Sequence, residues 1–99
     1  MEIKKTQAGD HILLSLEGRL DTLTAPKLQA ALTETFPDAV VIELDFEQVE
    51  YVSSAGLRVL LLGEKTTKAA GKSIVFKNVS AEIMEVFEIT GFTGILNII

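Results

Sequence analysis

The chain contains no cysteine, and that absence excludes several classes of chemistry. Disulfide bonds, thiolate metal sites and cysteine nucleophiles all need the thiol. Long apolar runs are also missing, because the run at residues 59–62 is far short of the roughly 20 residues that a membrane span needs. The polar sequence after Met1 does not resemble a signal peptide. We therefore expect a cytoplasmic protein with no membrane partner.

Basic residues are few and scattered. The chain has 9 Lys and Arg residues against 14 Asp and Glu residues, which gives a net charge of −5. Binding to phosphate backbones needs clustered Lys and Arg, so nucleic acid is not expected as a direct partner. The 99 residues and a hydrophobic fraction of 47% are typical of one globular domain, which we expect to span residues 1–99.

The hydrophobic pattern predicts strands that alternate with helices. Apolar and β-branched residues favour strands at 3–6, 11–17, 40–46, 73–77 and 95–99, and residues 47–52 are expected to continue in extended form. Apolar residues at helical spacing predict three helices, which end near Pro37, Gly71 and Gly91. Residues 40–46 are mostly β-branched or apolar, so we expect a central strand with both faces largely covered.

The order ββαβαβαβ predicts an α/β layered fold with a mixed, mostly parallel sheet and helices packed against it. In such a fold the loops from strand to helix gather at one edge of the sheet, where sites usually form. The sequence therefore predicts that Asp21, Ser54 and Ser80 share a common face. No metal is expected, because strand geometry distributes the carboxylates of residues 43–50 over different faces.

The turn Ser53-Ser54-Ala55-Gly56 lies between the central strand and the second helix. One interpretation is a plain N-cap, a position that serine favours strongly. The other is an anion site, because free N–H groups and the helix dipole both face this turn. Gly56 within the first helical turn costs up to about 1 kcal/mol relative to alanine, which indicates a close approach there.

Two enzymatic interpretations are weak. A serine hydrolase needs Gly-x-Ser-x-Gly, but Val52 stands where the first glycine belongs, and His11 lies in the N-terminal hairpin. Gly71-Lys72-Ser73 resembles the end of a P-loop, but Thr66 stands in place of its first glycine and the segment joins a helix to a strand. No enzyme activity and no cofactor are therefore expected.

Three segments together resemble a known family. Residues 45–57, which include Asp45-Phe46, Tyr51-Val52 and Ser53-Ser54-Ala55-Gly56-Leu57, are similar to the signature of the STAS domain of bacterial anti-sigma factor antagonists. Residues 18–26 resemble the first loop of that family, and residues 79–92 resemble its third-helix region. The resemblance covers essentially the whole chain.

The resemblance implies a regulatory role based on phosphorylation. In this family a serine two residues before the glycine is phosphorylated, and Ser54 matches it. The resemblance implies that the main partner is an anti-sigma factor, which is also a serine kinase of the ATP-binding, histidine-kinase-like type. It also implies a metal-dependent protein phosphatase as a second partner. Binding to the anti-sigma factor would release a sigma factor. The expected contact residues are Asp21, Thr22, Ser53, Ala55, Gly56, Leu57, Arg58 and Ser80, with Lys65 farther along the second helix.

Departures from the family pattern and an alternative role also bear on function. Well-studied members have Asp and Ser where this chain has Ser53 and Ala55, and many continue into a further C-terminal helix beyond the position of Ile99. The alternative is a structural STAS subunit of a transporter or signalling assembly, in which Ser54 packs against a partner without phosphorylation. Met84, Ile89 and Phe92 are either extra core or a partner contact patch.

Overall fold

The computed structural model describes residues 1–99. The sheet and the helices follow the predicted order. The strands are β1 (Glu2–Ala8), β2 (His11–Leu20), β3 (Val41–Val52), β4 (Ser73–Lys77) and β5 (Asn97–Ile98). The helices are α1 (Ala25–Thr35), α2 (Ser54–Ala69) and α3 (Ala81–Ile89), with short 3-10 turns at Phe36–Asp38 and Phe92–Gly94. None of the helices is long and apolar enough to cross a membrane.

The five strands form one mixed sheet in the order β1-β2-β3-β4-β5. β1 and β2 form the predicted antiparallel hairpin, and the other neighbouring pairs are parallel. The predicted α/β class is therefore confirmed. β3 is much longer than β4: Lys77, the last residue of β4, pairs with Asp45, and β3 then continues beside β2 until Leu20 pairs with Val52.

All three helices pack on one face of the sheet. Side chains on that face form the buried core with α1, α2 and α3. At its centre the rings of Phe46, Phe76 and Phe87 pack against one another, with centroids 5.6 to 6.3 Å apart in the three pairs. Apolar residues at every second strand position supply this core, because alternate strand side chains point to the same face. Burial of these side chains is the main force that holds the layers together.

The opposite face of the sheet carries no helix, and this corrects the expectation that β3 is covered on both sides. Glu43 on that face lies 3.3 Å from His11 and 3.7 Å from Lys77, and these groups are partly exposed to solvent. The sequence was misleading because β3 is almost continuously apolar up to residue 44, whereas its polar residues Glu43 and Asp45 mark the open face.

Three boundaries differ from the prediction. β2 continues past residue 17 to Leu20 and stays paired with β3, because β3 has one extra residue between the partners of Ser15 and Glu17 and another between the partners of Gly18 and Arg19. The last strand is only Asn97–Ile98, since Phe92–Gly94 forms a 3-10 turn before it. Pro37 does not end α1 directly but lies within the 3-10 turn that extends it.

Glu64 on α2 is the one partly buried side chain with an oxygen that lacks both solvent and a hydrogen-bond partner. Burial raises the pKa of this carboxyl, and the charge of Lys68 opposes that shift only in part. A raised pKa means that the folded chain favours the protonated carboxyl. Its contribution to stability is therefore present below the ordinary glutamate pKa of about 4.3 and is lost as the pH rises through the raised value.

We predict that Glu64→Gln raises the thermal midpoint at pH 7, because the neutral amide does not require the burial of a charge. The advantage should disappear below about pH 4, where the wild-type carboxyl is protonated as well. Thermal unfolding followed by circular dichroism at both pH values tests this, with Glu34→Gln on the exposed face of α1 as the control. An equal gain at both pH values would contradict the prediction.

Candidate functional site

The end of β3 and the start of α2 place two adjacent serines in different situations. Ser53 is the N-cap of α2, and its Oγ accepts a hydrogen bond from the backbone N–H of Gly56 at 3.3 Å. Ser54 is the first residue of the helix, is exposed, and its hydroxyl makes no hydrogen bond within the chain. The cap interpretation therefore applies to Ser53, and the hydroxyl of Ser54 is free to react or to bind.

This division of roles predicts different stabilities for two alanine variants. Ser53→Ala should lower the free energy of unfolding by about 1 kcal/mol, because it removes the cap of α2. Ser54→Ala should change it by less than about 0.5 kcal/mol, since an exposed side chain without partners is replaced. Urea unfolding of the two variants measures the difference, and equal losses would contradict the assignment of the cap.

Gly56 holds the start of α2 directly against β2. A Cβ built on Gly56 would lie 2.6 Å from Leu20 Cγ and 3.0 Å from the Leu20 carbonyl oxygen. The backbone N–H of Ser53 also donates to that carbonyl, at 2.8 Å. The close approach that the sequence indicated therefore serves helix–strand packing, and it fixes the position of Ser54 relative to the loop after β2.

That loop is organised around the Asp21 carboxylate. Asp21 Oδ1 accepts hydrogen bonds from the backbone N–H groups of Leu23 at 3.0 Å and Thr24 at 3.2 Å. The Thr24 hydroxyl donates to the Arg19 carbonyl at 2.7 Å and accepts from the Asp21 N–H at 2.9 Å. Thr24 is thus the residue before α1, but its side chain does not cap the helix. Its hydroxyl instead stabilises the loop through the two hydrogen bonds to Arg19 and Asp21.

The Asp21 carboxylate is kept ionised by these contacts. Partial burial alone would raise the pKa of this carboxyl, but the hydrogen bonds from the Thr24 and Leu23 N–H groups and from the Thr24 hydroxyl, with the charge of Arg19, together hold the pKa below its ordinary value. The loop therefore keeps a fixed negative charge at neutral pH beside the start of α2.

Three exposed residues at this edge lie outside the predicted set. The Arg19 guanidinium lies 4.2 Å from the centroid of the Tyr51 ring, and its Nε is 3.6 Å from Asp21 Oδ2. Leu23 is 89% exposed, and the Tyr51 ring is half exposed. The pairing of Arg19 with Tyr51 depends on the extra residues in β3, so only the register of the strands could have revealed it.

The other predicted contact residues divide into exposed and buried ones. Thr22 and Arg58 are exposed, as is Lys65, and Ala55 is half buried against the core. Gly56 and Leu57 are buried, Leu57 with 8% exposure, so the expectation that they form partner surface is wrong. Both face the core because they lie on the side of α2 that packs on the sheet.

Ser80 is the third residue that the sequence predicts for this face, and its place there stays a prediction. It lies at the end of a parallel strand, as Asp21 and Ser53 do, but β4 stops opposite Asp45, well before β3 reaches Val52. The Ser80 hydroxyl accepts from the Ile83 N–H at 3.2 Å and caps α3. A backbone hydrogen bond from Ser53 to Leu20 thus connects the Ser53–Ser54 turn to the end of β2, just before Asp21. Ser80 takes no part in this hydrogen bond.

Comparisons with known proteins agree with this geometry. Residues 3–97 match a family model described as "Mlab, STAS domain". The anti-sigma-B factor antagonist of Listeria monocytogenes is 32% identical over 99 residues, a match that covers 99% of this chain and 86% of the relative. The putative anti-sigma factor antagonist BtrV of Bordetella bronchiseptica is 30% identical, and the match covers 96% of this chain and 83% of the relative.

A solved structure shows the same fold. Unphosphorylated SpoIIAA, an anti-sigma factor antagonist, superposes with a TM-score of 0.78 at 16% identity, covering 99% of this chain and 87% of that one. SpoIIAA of Bacillus in its phosphorylated form superposes with a TM-score of 0.77 at 17% identity, with coverages of 99% and 91%. The match over residues 3–97 and the two relatives at 30% identity or more show that the chain belongs to the STAS domain family, with relatives that are anti-sigma factor antagonists.

Proposed function

We propose that this chain is an anti-sigma factor antagonist whose binding is switched off by phosphorylation of Ser54. The observation that carries the proposal is the free, exposed hydroxyl of Ser54 at the first position of α2, beside a serine whose hydroxyl is already bonded. Relatives with the name of anti-sigma factor antagonist support the role. Proteins of this kind regulate by binding and are not enzymes.

The site is suited to a charge switch within an unchanged fold. A phosphate adds about −1.5 to −2 charges at pH 7. The positive end of the helix dipole stabilises a negative charge at this position by about 0.3–1 kcal/mol. The exposed Ser54 hydroxyl makes no hydrogen bond within the chain that a phosphate would break. The fixed charge of Asp21 in the neighbouring loop adds to the negative field, so a partner that fits the unmodified edge would meet a large excess of negative charge after phosphorylation.

The proposed partners are those that the resemblance to anti-sigma factor antagonists implies. The anti-sigma factor would itself be the ATP-dependent serine kinase, with a histidine-kinase-like ATP-binding domain, and a metal-dependent phosphatase would restore binding. The surface offered to the kinase consists of Ser54, Arg58 and the loop with Asp21 and Thr22, extended by exposed Leu23 and Lys65. Such an exchange of partners takes place in the cytoplasm.

Phosphorylation by the cognate kinase tests the proposal. The protein is incubated with the kinase and ATP, and the phosphate is located by mass spectrometry. We expect one phosphate on Ser54, none on Ser54→Ala, and normal incorporation into a Ser53→Ala sample at a temperature where that variant is folded. Incorporation that survives Ser54→Ala would refute the site.

A structural STAS subunit is the second candidate, favoured by the exposed apolar surface of Leu23 and Tyr51 beside Ser54. In that role the same edge packs permanently against a larger assembly, and no phosphate is added. Affinity purification distinguishes the two: recovery of a histidine-kinase-like ATP-binding protein supports the switch, and recovery of a transporter ATPase supports the structural role.

A further inference from the structure

The exposed side of α3 is strongly acidic. Glu82, Glu85 and Glu88 are all exposed there, and none of them forms an ion pair. Residues 78–99 contain no Lys, Arg or His, so nothing in this part of the chain balances the three carboxylates. α2 has the opposite character, because it carries three basic residues and only one acidic residue, Glu64. The two helices thus present surfaces of opposite sign.

An apolar residue lies among these carboxylates. Ile89 is 79% exposed, and it follows Glu82 and Glu85 at spacings of seven and four residues, which places all three on the same side of the helix. Phe92 and Ile95 continue the apolar surface beyond the end of α3. Phe92 is stacked on buried Phe87 with ring centroids 6.5 Å apart, so this end of the surface rests on the core.

This surface is separate from the Ser53–Ser54 turn. It consists of Glu82, Glu85, Glu88, Ile89 and Ile95. α3 follows β4, which ends opposite Asp45, whereas Ser54 follows the extension of β3 as far as Val52. The core already contains Ile83 and Phe87 from the other side of α3, so the exposed apolar residues add nothing to internal packing. The surface of α3 therefore shares no residue with the surface proposed for the kinase.

We propose that the exposed surface of α3 is a second docking site, for a protein segment that presents basic side chains around an apolar one. Charge complementarity identifies this occupant: Glu82 and Glu85 lie on the same side of α3 as Ile89, so lysine or arginine side chains meet the carboxylates while an apolar side chain covers the isoleucine. A second copy of this chain docked α3 to α3 would place like charges together. The proposal does not depend on phosphorylation of Ser54.

A synthetic, helix-forming peptide of lysine and leucine is the probe for this site. Its binding is measured by fluorescence anisotropy and mapped by amide chemical shifts on the wild-type chain. The test variant is Glu82→Lys/Glu85→Lys/Glu88→Lys. The control is Glu2→Lys/Glu17→Lys/Glu34→Lys, which changes the net charge equally at exposed positions on β1, β2 and α1. Ile89→Ser removes only the apolar contact, and circular dichroism verifies that each variant is folded.

We expect chemical shift changes concentrated at residues 82–95. The α3 variant should bind at least about tenfold more weakly than the control variant, and Ile89→Ser should weaken binding about fivefold. Equal losses in the two triple variants would overturn the proposal, because net charge alone would then explain binding. Shift changes spread over other acidic positions, unchanged binding by Ile89→Ser, or self-association of the wild-type chain through α3 would overturn it as well.

Discussion

Ser54→Glu is expected to weaken binding to the anti-sigma factor by at least about tenfold, and full phosphorylation by more. The reason is the desolvation of a new charge at a surface that the partner covers, where each 1.4 kcal/mol corresponds to a factor of ten in affinity. Ser54→Ala should bind about as well as the wild type, because the hydroxyl has no partner within the chain. Isothermal titration of the purified kinase with each variant measures the effect.

A charge-matched control separates the site from the net charge. Thr6 is exposed on β1 and pairs with Leu13, toward the other end of β2 from Leu20, and Thr6→Glu adds the same charge. We expect Thr6→Glu to change affinity by less than about twofold, since exposed charges outside an interface are screened by salt. A Ser54→Glu variant that binds as tightly as the wild type would remove Ser54 from the interface, and equal losses in the two variants would reduce the effect to net charge.

The sequence predicted the fold well where hydrophobic periodicity and turn residues agree. β4 has its predicted bounds, and α2 ends close to Gly71, because a continuous apolar pattern ends at a glycine in the left-handed conformation. The two-residue β5 was predicted too long, because residues 95–99 are apolar apart from Asn97, yet the Leu96 N–H donates to the Phe92 carbonyl in a turn. The apolar pattern there favours a strand, and the hydrogen bond of the turn prevails.

The candidate site was predictable in its position but not in its details. Serine at the start of a helix identifies the turn, yet only the hydrogen bond from Gly56 to Ser53 distinguishes the cap from the free hydroxyl. The cluster of Arg19, Tyr51 and Asp21 depends on two irregularities in the pairing of β2 with β3. The extra residues lie in β3, where the sequence contains no signal for them, so residues that become neighbours through them cannot be paired in advance.

Gly56→Ala is expected to lower the free energy of unfolding by about 2 kcal/mol. The added methyl group would lie 2.6 Å from Leu20 Cγ and 3.0 Å from a backbone carbonyl, and Leu20 is fully buried. Overpacking of this kind costs about 1–3 kcal/mol, and the higher helix propensity of alanine returns at most about 1 kcal/mol. The thermal midpoint should fall by about 10 °C, as measured by differential scanning calorimetry.

Gly94→Ala is the matched control, because a Cβ on Gly94 meets no atom within 4 Å and should change stability by less than about 0.5 kcal/mol. A double-mutant cycle then identifies the cause of the loss at Gly56. Leu20→Ala removes the side-chain atoms that the new methyl group would strike but keeps the carbonyl oxygen, so Gly56→Ala should cost less in that background than in the wild type. Additive losses would show that the contact with the Leu20 side chain is not the reason for glycine. A favourable coupling would show that the start of α2 packs on β2 through this pair of residues.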